Sequence, residues 1–67
     1  MPWSVADYPR SMKNLTPKVR EKAIEISNAL LEQGYEEGRA IAIGTAQAEE
    51  WAENRGIPIR EEEAEEE

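Results

Sequence analysis

Two stretches of the chain repeat apolar residues at the spacing of an amphipathic helix. In the first, the apolar positions are Val19, Ala23, Ile26 and Leu30, with Ile24 and Leu31 beside them. The polar positions opposite are Lys18, Glu21, Glu25, Asn28 and Glu32. Thr16-Pro17 supplies an N-cap residue and a proline at the first helical position, and Gly34 suits the residue that ends a helix. The pattern predicts a helix over residues 17–33.

The second stretch contains AIAIGTAQAEEWA, residues 40–52, which fits two periodicities. The alternation over residues 40–43 is typical of a strand, but it stops at Gly44 and the residues that follow form strands poorly. As a helix, the segment gathers Ala40, Ile41, Gly44, Ala48, Trp51 and Ala52 on one face. It gathers Glu49, Glu50, Glu53 and Asn54 on the other. We therefore predict a helix over residues 37–54, which the short connection folds back antiparallel to the first.

One small residue stands at every fourth position of the second helix: Ala40, Gly44, Ala48 and Ala52. Such a ladder lets two helix axes approach closely, so we expect Ala23, Ile26 and Leu30 of the first helix to fill its groove. A seam for another molecule is the alternative. A chain this short must use its apolar faces for its own core, which favours the intramolecular seam.

The remaining segments are short. We expect an extended arm over residues 1–8, anchored by Trp3, Val5 or Tyr8, and a helical turn over 9–14. Residues 57–59 should dock loosely on the core. Residues 61–67, EEEAEEE, predict a disordered acidic tail. The fold class is thus all-α, with residues 1–60 forming one small helical domain.

Composition excludes several classes of chemistry. The 67 residues contain no cysteine and no histidine, which removes disulfides, zinc sites of the usual kind and the commonest proton carrier. The paired acids sit where exposure is expected, and no glycine loop suits a phosphate. We predict no catalytic residues, no cofactor and no metal site, and therefore not an enzyme.

The chain also lacks the roughly 20 consecutive apolar residues of a membrane span. Its N-terminus has neither the basic start nor the apolar centre of a secretory signal. With the absence of cysteine, these features predict a cytoplasmic protein without membrane insertion.

Two surfaces are candidates for binding. Trp3, Ile43 and Ile57 are apolar residues that a two-helix hairpin alone does not readily bury, so they are the candidate partner surface. Ile43 falls on the polar side of its helix, and it is either bare or covered by the arm. The second surface is a basic front that could contact phosphates: Arg10, Lys13, Lys18, Arg20 and Lys22. Its charge is modest, no aromatic residue interleaves with it in sequence, and the net charge of the chain is −7.

The N-terminal residues Met1-Pro2-Trp3, Asp7-Tyr8-Pro9, Ser11 and Leu15-Thr16-Pro17 resemble the start of ChaB-like proteins. The later stretch KAIEISNALLEQGYEEGRAIAIGTAQAEEW is similar to the N-terminal region of the YdaT-like proteins of Gram-positive bacteria. The resemblance covers about residues 1–52. It implies a small helical protein and, through the ChaB-like part, a role in regulating cation transport. It carries no catalytic residues.

We accordingly expect a non-enzymatic interaction or regulatory module that contacts a protein partner. The alternatives are nucleic-acid binding through residues 10–22, gated by the acidic tail, and the cation-linked regulation that the resemblance implies.

Overall fold

The computed structural model describes residues 3–60, which form two helices and a short 3-10 turn. The turn spans Arg10–Met12, helix α1 spans Pro17–Glu32, and helix α2 spans Glu37–Arg55. Isolated bridges join Ser4 to Asp7 and Leu15 to Arg60, and this part of the chain contains no strand. The predicted all-α fold is confirmed, including the helical interpretation of residues 40–52. The prediction of a disordered tail concerns residues outside those described.

Both helices end in the same way, at a glycine in the left-handed region. At the end of α1, Gly34 has φ 102°, and the N–H of Tyr35 donates to the carbonyl of Leu30. At the end of α2, Gly56 has φ 69°, and the N–H of Ile57 donates to the carbonyl of Ala52. These are Schellman motifs, in which the backbone satisfies carbonyls that the helix end leaves free. The prediction that Gly34 ends the first helix is confirmed.

The small-residue ladder of α2 lies in the seam between the helices. Ala40, Gly44, Ala48 and Ala52 are all buried. A Cβ added at Gly44 would clash with Ser27 Oγ and would stand 3.0 Å from the Ser27 nitrogen and 3.1 Å from the Ala23 oxygen. The two backbones therefore meet closely enough to require glycine. The intramolecular reading of the ladder is confirmed.

The residues of α1 that fill the seam agree in part with those predicted. Ala23 and Ser27 face Gly44, whereas Ile26 and Leu30 are only partly buried. Ile26 packs against the core cluster that contains Ala48 and Ala52, whereas Leu30 does not belong to that cluster. Ser27 is fully buried, and its Oγ has no hydrogen-bond partner. A polar side chain that the predicted apolar stripe did not include therefore lies in the seam.

The N-terminal arm is not extended throughout. Ser4 and Asp7 exchange main-chain hydrogen bonds of 2.9 and 3.0 Å, which close a tight turn. Val5 stands at the tip of this turn with 64% of its surface exposed, so it is not an anchor. Trp3 and Tyr8, on either side of the turn, pack against the core as expected. The arm and the 3-10 turn thereby cover one face of the hairpin.

The core is small and lies on the covered side of the two helices. Its buried apolar residues come from the 3-10 turn, from the linker and from both helices: Met12, Leu15, Val19, Ala23, Ile24, Ala48 and Ala52. The Cα atoms extend 41 × 23 × 15 Å. An α-helix with its side chains is about 10–12 Å across, so the thinnest dimension corresponds to a single helical layer and its cover.

Candidate interaction surface

We call the side of the hairpin that the arm and the 3-10 turn cover the covered face. Asn28, a polar residue of α1, holds the arm against it. Its Oδ1 accepts a hydrogen bond from the N–H of Trp3 at 3.3 Å, and its Nδ2 donates to the carbonyl of Trp3 at 2.9 Å. The side-chain amide thus pairs with a main-chain donor and acceptor together. Asn28 is only 4% exposed. Its predicted place on the polar face was wrong, because the arm covers that side of the helix.

Arg20 holds the 3-10 turn to the same side of α1. Its guanidinium donates to the carbonyls of Met12 at 3.2 Å, Lys13 at 3.0 Å and Leu15 at 2.8 Å. It also lies over the ring of Tyr8, with Cζ 4.8 Å from the ring centroid. Hydrogen bonds from a charged donor are stronger than neutral ones, so one side chain fixes the end of the turn and the linker that follows it.

Thr16 fixes the segment that follows α2. It occupies the N-cap position of α1 as predicted, but its hydroxyl does not cap the helix. Instead, Thr16 Oγ1 donates to the carbonyl of Pro58 at 2.8 Å, and the Thr16 N–H donates to the carbonyl of Ile59 at 2.9 Å. Ile57 and Ile59 pack against the core beside it. The predicted docking of residues 57–59 is confirmed, and two hydrogen bonds hold it.

The opposite face of the hairpin is covered by neither the arm nor the C-terminal segment. A shallow groove along it is lined by residues of α1 and α2 alone: Lys22, Ile26, Gln47, Glu50, Trp51, Asn54 and Arg55. Leu30 lies one turn beyond Ile26, and Ile43 lies one turn before Gln47, so both continue this surface. We call it the open face and define it by two antiparallel rows, Lys22–Ile26–Leu30 and Trp51–Gln47–Ile43.

The open face is apolar for much of its length. Ile26, Leu30, Ile43 and Trp51 are partly buried, whereas Gln47 is exposed at its centre. At one end, Lys22 Nζ lies 5.3 Å and Arg55 Cζ 5.1 Å from the centroid of the Trp51 ring. Cations over an indole are attracted by its π-system, and their stems cover part of the ring. An apolar strip bordered by charge is the arrangement found at many protein-binding surfaces.

The structure does not bring the three predicted partner-surface residues together. Trp3 is tied to Asn28, and Ile57 lies near Thr16 at the other end of α1. Twelve helical positions separate these two sites, which is about 18 Å along the axis. Ile43 lies on the open face, away from both. Its side chain is partly buried rather than bare.

The five predicted basic residues also separate into two groups. Arg10 and Lys13 are exposed on the 3-10 turn, next to Arg20, whose donors are engaged by main-chain carbonyls. Lys18 and Lys22 lie on the other side of α1, where they border a hollow together with Trp51. Glu21 and Glu25 border the same hollow, and Lys22 pairs with Glu25 at 3.5 Å. The structure thus places an aromatic ring beside two of the lysines, which the sequence order does not show.

The sequence analysis did not identify the open face as a unit, nor Asn28 and Arg20 as fixing residues. Ile26 and Leu30 could have indicated the open face, because they are large apolar residues opposite a ladder that leaves room only for small ones. Gln47 and Asn28 carried none, since polar residues on a helix are ordinarily solvated. Between residues 3 and 60, no helix is long and apolar enough to cross a membrane. Within the same range, no group of three acidic side chains is arranged to hold a metal ion.

Comparison with known proteins gives one informative match. The chain is 65% identical over 54 residues to the uncharacterized protein YdaT of Bacillus subtilis (strain 168). The match includes 81% of this chain but only 36% of the relative, so the chain spans about a third of that protein's length. No family model and no solved structure matches the chain. The YdaT-like resemblance is confirmed, whereas none of these comparisons supports the ChaB-like one; the chain is a small helical protein similar to part of a bacterial YdaT protein.

Proposed function

We propose that the chain is a protein-interaction module that binds through the open face of its hairpin. The observation that carries this proposal is the asymmetry of the two faces. One face is sealed by the arm and by residues 57–60 through directed hydrogen bonds. The other leaves Ile26, Leu30, Ile43 and Trp51 partly exposed in two continuous rows.

Elementary packing supports the same function. A helical domain is normally built from two layers that bury their apolar faces against each other. Here the second layer exists on one side only, and it consists of a short arm and a short C-terminal segment. A helix or helix pair laid into the groove between the two rows would supply the missing layer, in the manner of helix-in-groove recognition.

A photo-crosslinking experiment tests this proposal. The photoreactive residue p-benzoylphenylalanine is placed at Gln47, in the centre of the open face, or at Glu53 on the solvent side of the same helix. Both positions are exposed, so neither change disturbs the core. In Bacillus extract we expect irradiation to give discrete protein adducts from position 47 and none from position 53. Equal adduct patterns from the two positions, or none from position 47, would contradict the proposal.

A second candidate is nucleic-acid binding, because the fold places Trp51 beside Lys18, Lys22 and Arg55. An aromatic ring among cations suits a stacked base and its phosphates. It ranks second because Glu21 and Glu25 border the same hollow. Deletion of residues 61–67 removes six acidic residues and should expose any such binding to immobilised DNA or RNA. Failure to retain either at low salt would end this candidate.

The cation-linked regulation that the ChaB-like resemblance implies stays a prediction. It requires calcium or magnesium to shift NMR signals of the helical domain together with those of residues 61–67. Shifts confined to residues 61–67 would count against it.

A further inference from the structure

We propose that residues 61–67, the acidic tail, bind Arg10 and Lys13 of the same chain, so that this protein carries its own ligand for the basic side of its 3-10 turn. The inference is independent of the proposed function, because it concerns the turn and not the open face. Three observations carry it: the direction of the chain at Arg60, the charge of the turn and the composition of residues 61–67.

The first observation is the direction of the chain at its last described residue. Arg60 forms an antiparallel bridge with Leu15, in the linker between the turn and α1. In an antiparallel pair, each later residue of one segment stands beside an earlier residue of the other. At Arg60 the chain therefore runs toward Lys13 and then Arg10, and away from Lys18. Arg10 is five residues from Leu15, at most about 18 Å away, whereas seven extended residues span up to about 25 Å.

The second observation is the charge of the surface ahead of the chain. Residues 8–20 contain four bases and no acid. Arg10 and Lys13 are exposed on the turn, and the Arg20 guanidinium lies beside them, with its Nη2 3.0 Å from the Lys13 carbonyl oxygen. The fourth base, Lys18, lies on the other side of α1. Three positive charges therefore gather at the turn.

The acids that stand near this surface leave it positive. On the arm, Asp7 is exposed and precedes Arg10 by three residues. On α2, the residues that line a hollow beside the turn include one acid, Glu49, which is paired with Arg60 at 3.7 Å. On α1, Glu21 borders the hollow on the other side of the helix. One exposed carboxylate of the arm does not neutralise three bases.

The third observation is that residues 61–67 carry six glutamates and no base. Their contact with the turn is between side-chain charges, because the main chain there is already engaged. The carbonyls of Met12, Lys13 and Leu15 accept hydrogen bonds from Arg20. The N–H groups of the same three residues donate to other carbonyls. A run of glutamates presents a carboxylate in every register, which suits a contact without fixed geometry.

Such a contact is a reversible shield. Exposed ion pairs are individually weak and are screened by salt, so the bound acidic tail exchanges with a free one. While it is bound, it closes the turn to other anions. An anionic partner therefore reaches Arg10 and Lys13 only by displacing the acidic tail.

The absence of cysteine makes a spin-label experiment specific. In the complete chain, Ala64→Cys carries a nitroxide label and keeps all six glutamates. We expect the label to broaden the amide NMR signals of residues 10–14 at about 10 mM ionic strength. The broadening should fall by about half or more at about 1 M, where the Debye length decreases from about 30 Å to about 3 Å. The same chain with its nitroxide reduced gives the reference spectrum.

Two charge-matched variants locate the contact. The bridge at Arg60 tethers the label near the turn in any case, so the change in broadening is the decisive quantity. Arg10→Gln combined with Lys13→Gln should lower the broadening at low salt by about half or more. Lys18→Gln combined with Lys22→Gln removes the same charge on the other side of α1 and should leave the broadening unchanged.

The outcomes separate the inference from its alternatives. Broadening that neither salt nor the first pair of substitutions changes overturns it. An equal loss with both pairs also overturns it, because that result indicates a general attraction to positive charge. A mixture of nitroxide-labelled chain with isotope-labelled chain that lacks the nitroxide tests for contact between copies. Broadening at residues 10–14 in this mixture assigns the contact to the acidic tail of another copy and overturns the contact within one chain.

Discussion

The same two helices form both faces of the hairpin, but the N-terminal arm and the C-terminal segment cover only one of them. The covered face is fixed by polar side chains that bind main-chain groups: Asn28 binds the arm, Arg20 the 3-10 turn, and Thr16 the C-terminal segment. On the open face, Ile26 and Trp51 pack against the core from one side, and two flexible cationic side chains lie over the Trp51 ring. Directed hydrogen bonds hold a particular segment in place, whereas a partly exposed apolar surface can accept a separate molecule.

This comparison has a consequence for stability. The covered face and the seam should contain most of the free energy of unfolding, and the open face should contribute little of it in the monomer. Substitutions of similar size on the two sides should therefore have unequal effects. Four substitutions test this expectation, beginning with the seam that both faces share.

The largest effect is expected for Gly44→Leu. Even a Cβ at this position meets Ser27 and the main chain of Ala23, so the helices must separate. We expect a loss of about 3 kcal/mol or more, which is enough to unfold a small domain. Urea unfolding followed by circular dichroism measures it.

The matched control for the seam is a pair of alanine variants. Gly38 has no atom within 4 Å of an added Cβ, so Gly38→Ala should be neutral or should stabilise by about 0.5–1 kcal/mol through helix propensity. Gly44→Ala should destabilise despite the same gain in propensity. Equal effects of the two variants would show that the seam is looser than the structure indicates.

Arg20→Ala should have the second-largest effect. It removes the guanidinium hydrogen bonds to three main-chain carbonyls and the contact with Tyr8, at a cost of about 2–3 kcal/mol. Arg20→Lys should restore only part of this, because an ammonium cannot reproduce the planar fork of a guanidinium. Thermal unfolding compares both with Lys18→Ala, an exposed position on the same helix. A wild-type melting temperature for Arg20→Ala would contradict the fixing role.

Asn28→Ala should cost less, about 1–2 kcal/mol, because it frees the arm without opening the seam. Hydrogen exchange at the amides of residues 3–8 should accelerate, while that of α2 should change little. Asn28→Asp keeps the acceptor for the Trp3 N–H but sets a carboxylate oxygen against the Trp3 carbonyl at a buried position, so it should cost at least as much as Asn28→Ala. Uniform acceleration across both helices would show instead that the arm and the seam unfold together.

The smallest effect is expected on the open face. Ile43→Ser should change the free energy of unfolding of the monomer by less than about 1 kcal/mol, since the residue is partly exposed and lies outside the buried core. Dilute urea titrations measure this without interference from self-association. Val19→Ser, at a fully buried position, is the comparison and should cost several-fold more. Similar costs at the two positions would remove the distinction between the faces.

Much of the hairpin could be predicted from the sequence. The periodicity of apolar residues, the Thr16-Pro17 start, Gly34 at the end of α1 and the ladder of small residues gave both helices and their close approach. They did so because these signals are local: each depends on backbone geometry that neighbouring residues share. The predicted helix ends at residues 33 and 54 each differ by one residue from the observed ends.

The candidate site could be predicted only in part. The sequence analysis noted that Ile43 is an apolar residue on the polar side of its helix, and it lies on the open face. Trp3 and Ile57 were grouped with it because all three are apolar, but they lie on covered surfaces near opposite ends of α1. Shared chemistry does not reveal shared location. The five basic residues separated for the same reason, since a helix divides neighbours in sequence between its sides.

The sequence by itself therefore determined the helices, their turn and the need for a small residue at position 44. Only the tertiary structure decided which side of the hairpin the arm covers, and with it the roles of Asn28, Arg20 and Thr16. These roles depend on main-chain groups far away in the chain, at Trp3 and Pro58. Local periodicity contains no information about such partners, because a polar side chain on a helix looks the same in sequence whether water or a distant carbonyl satisfies it.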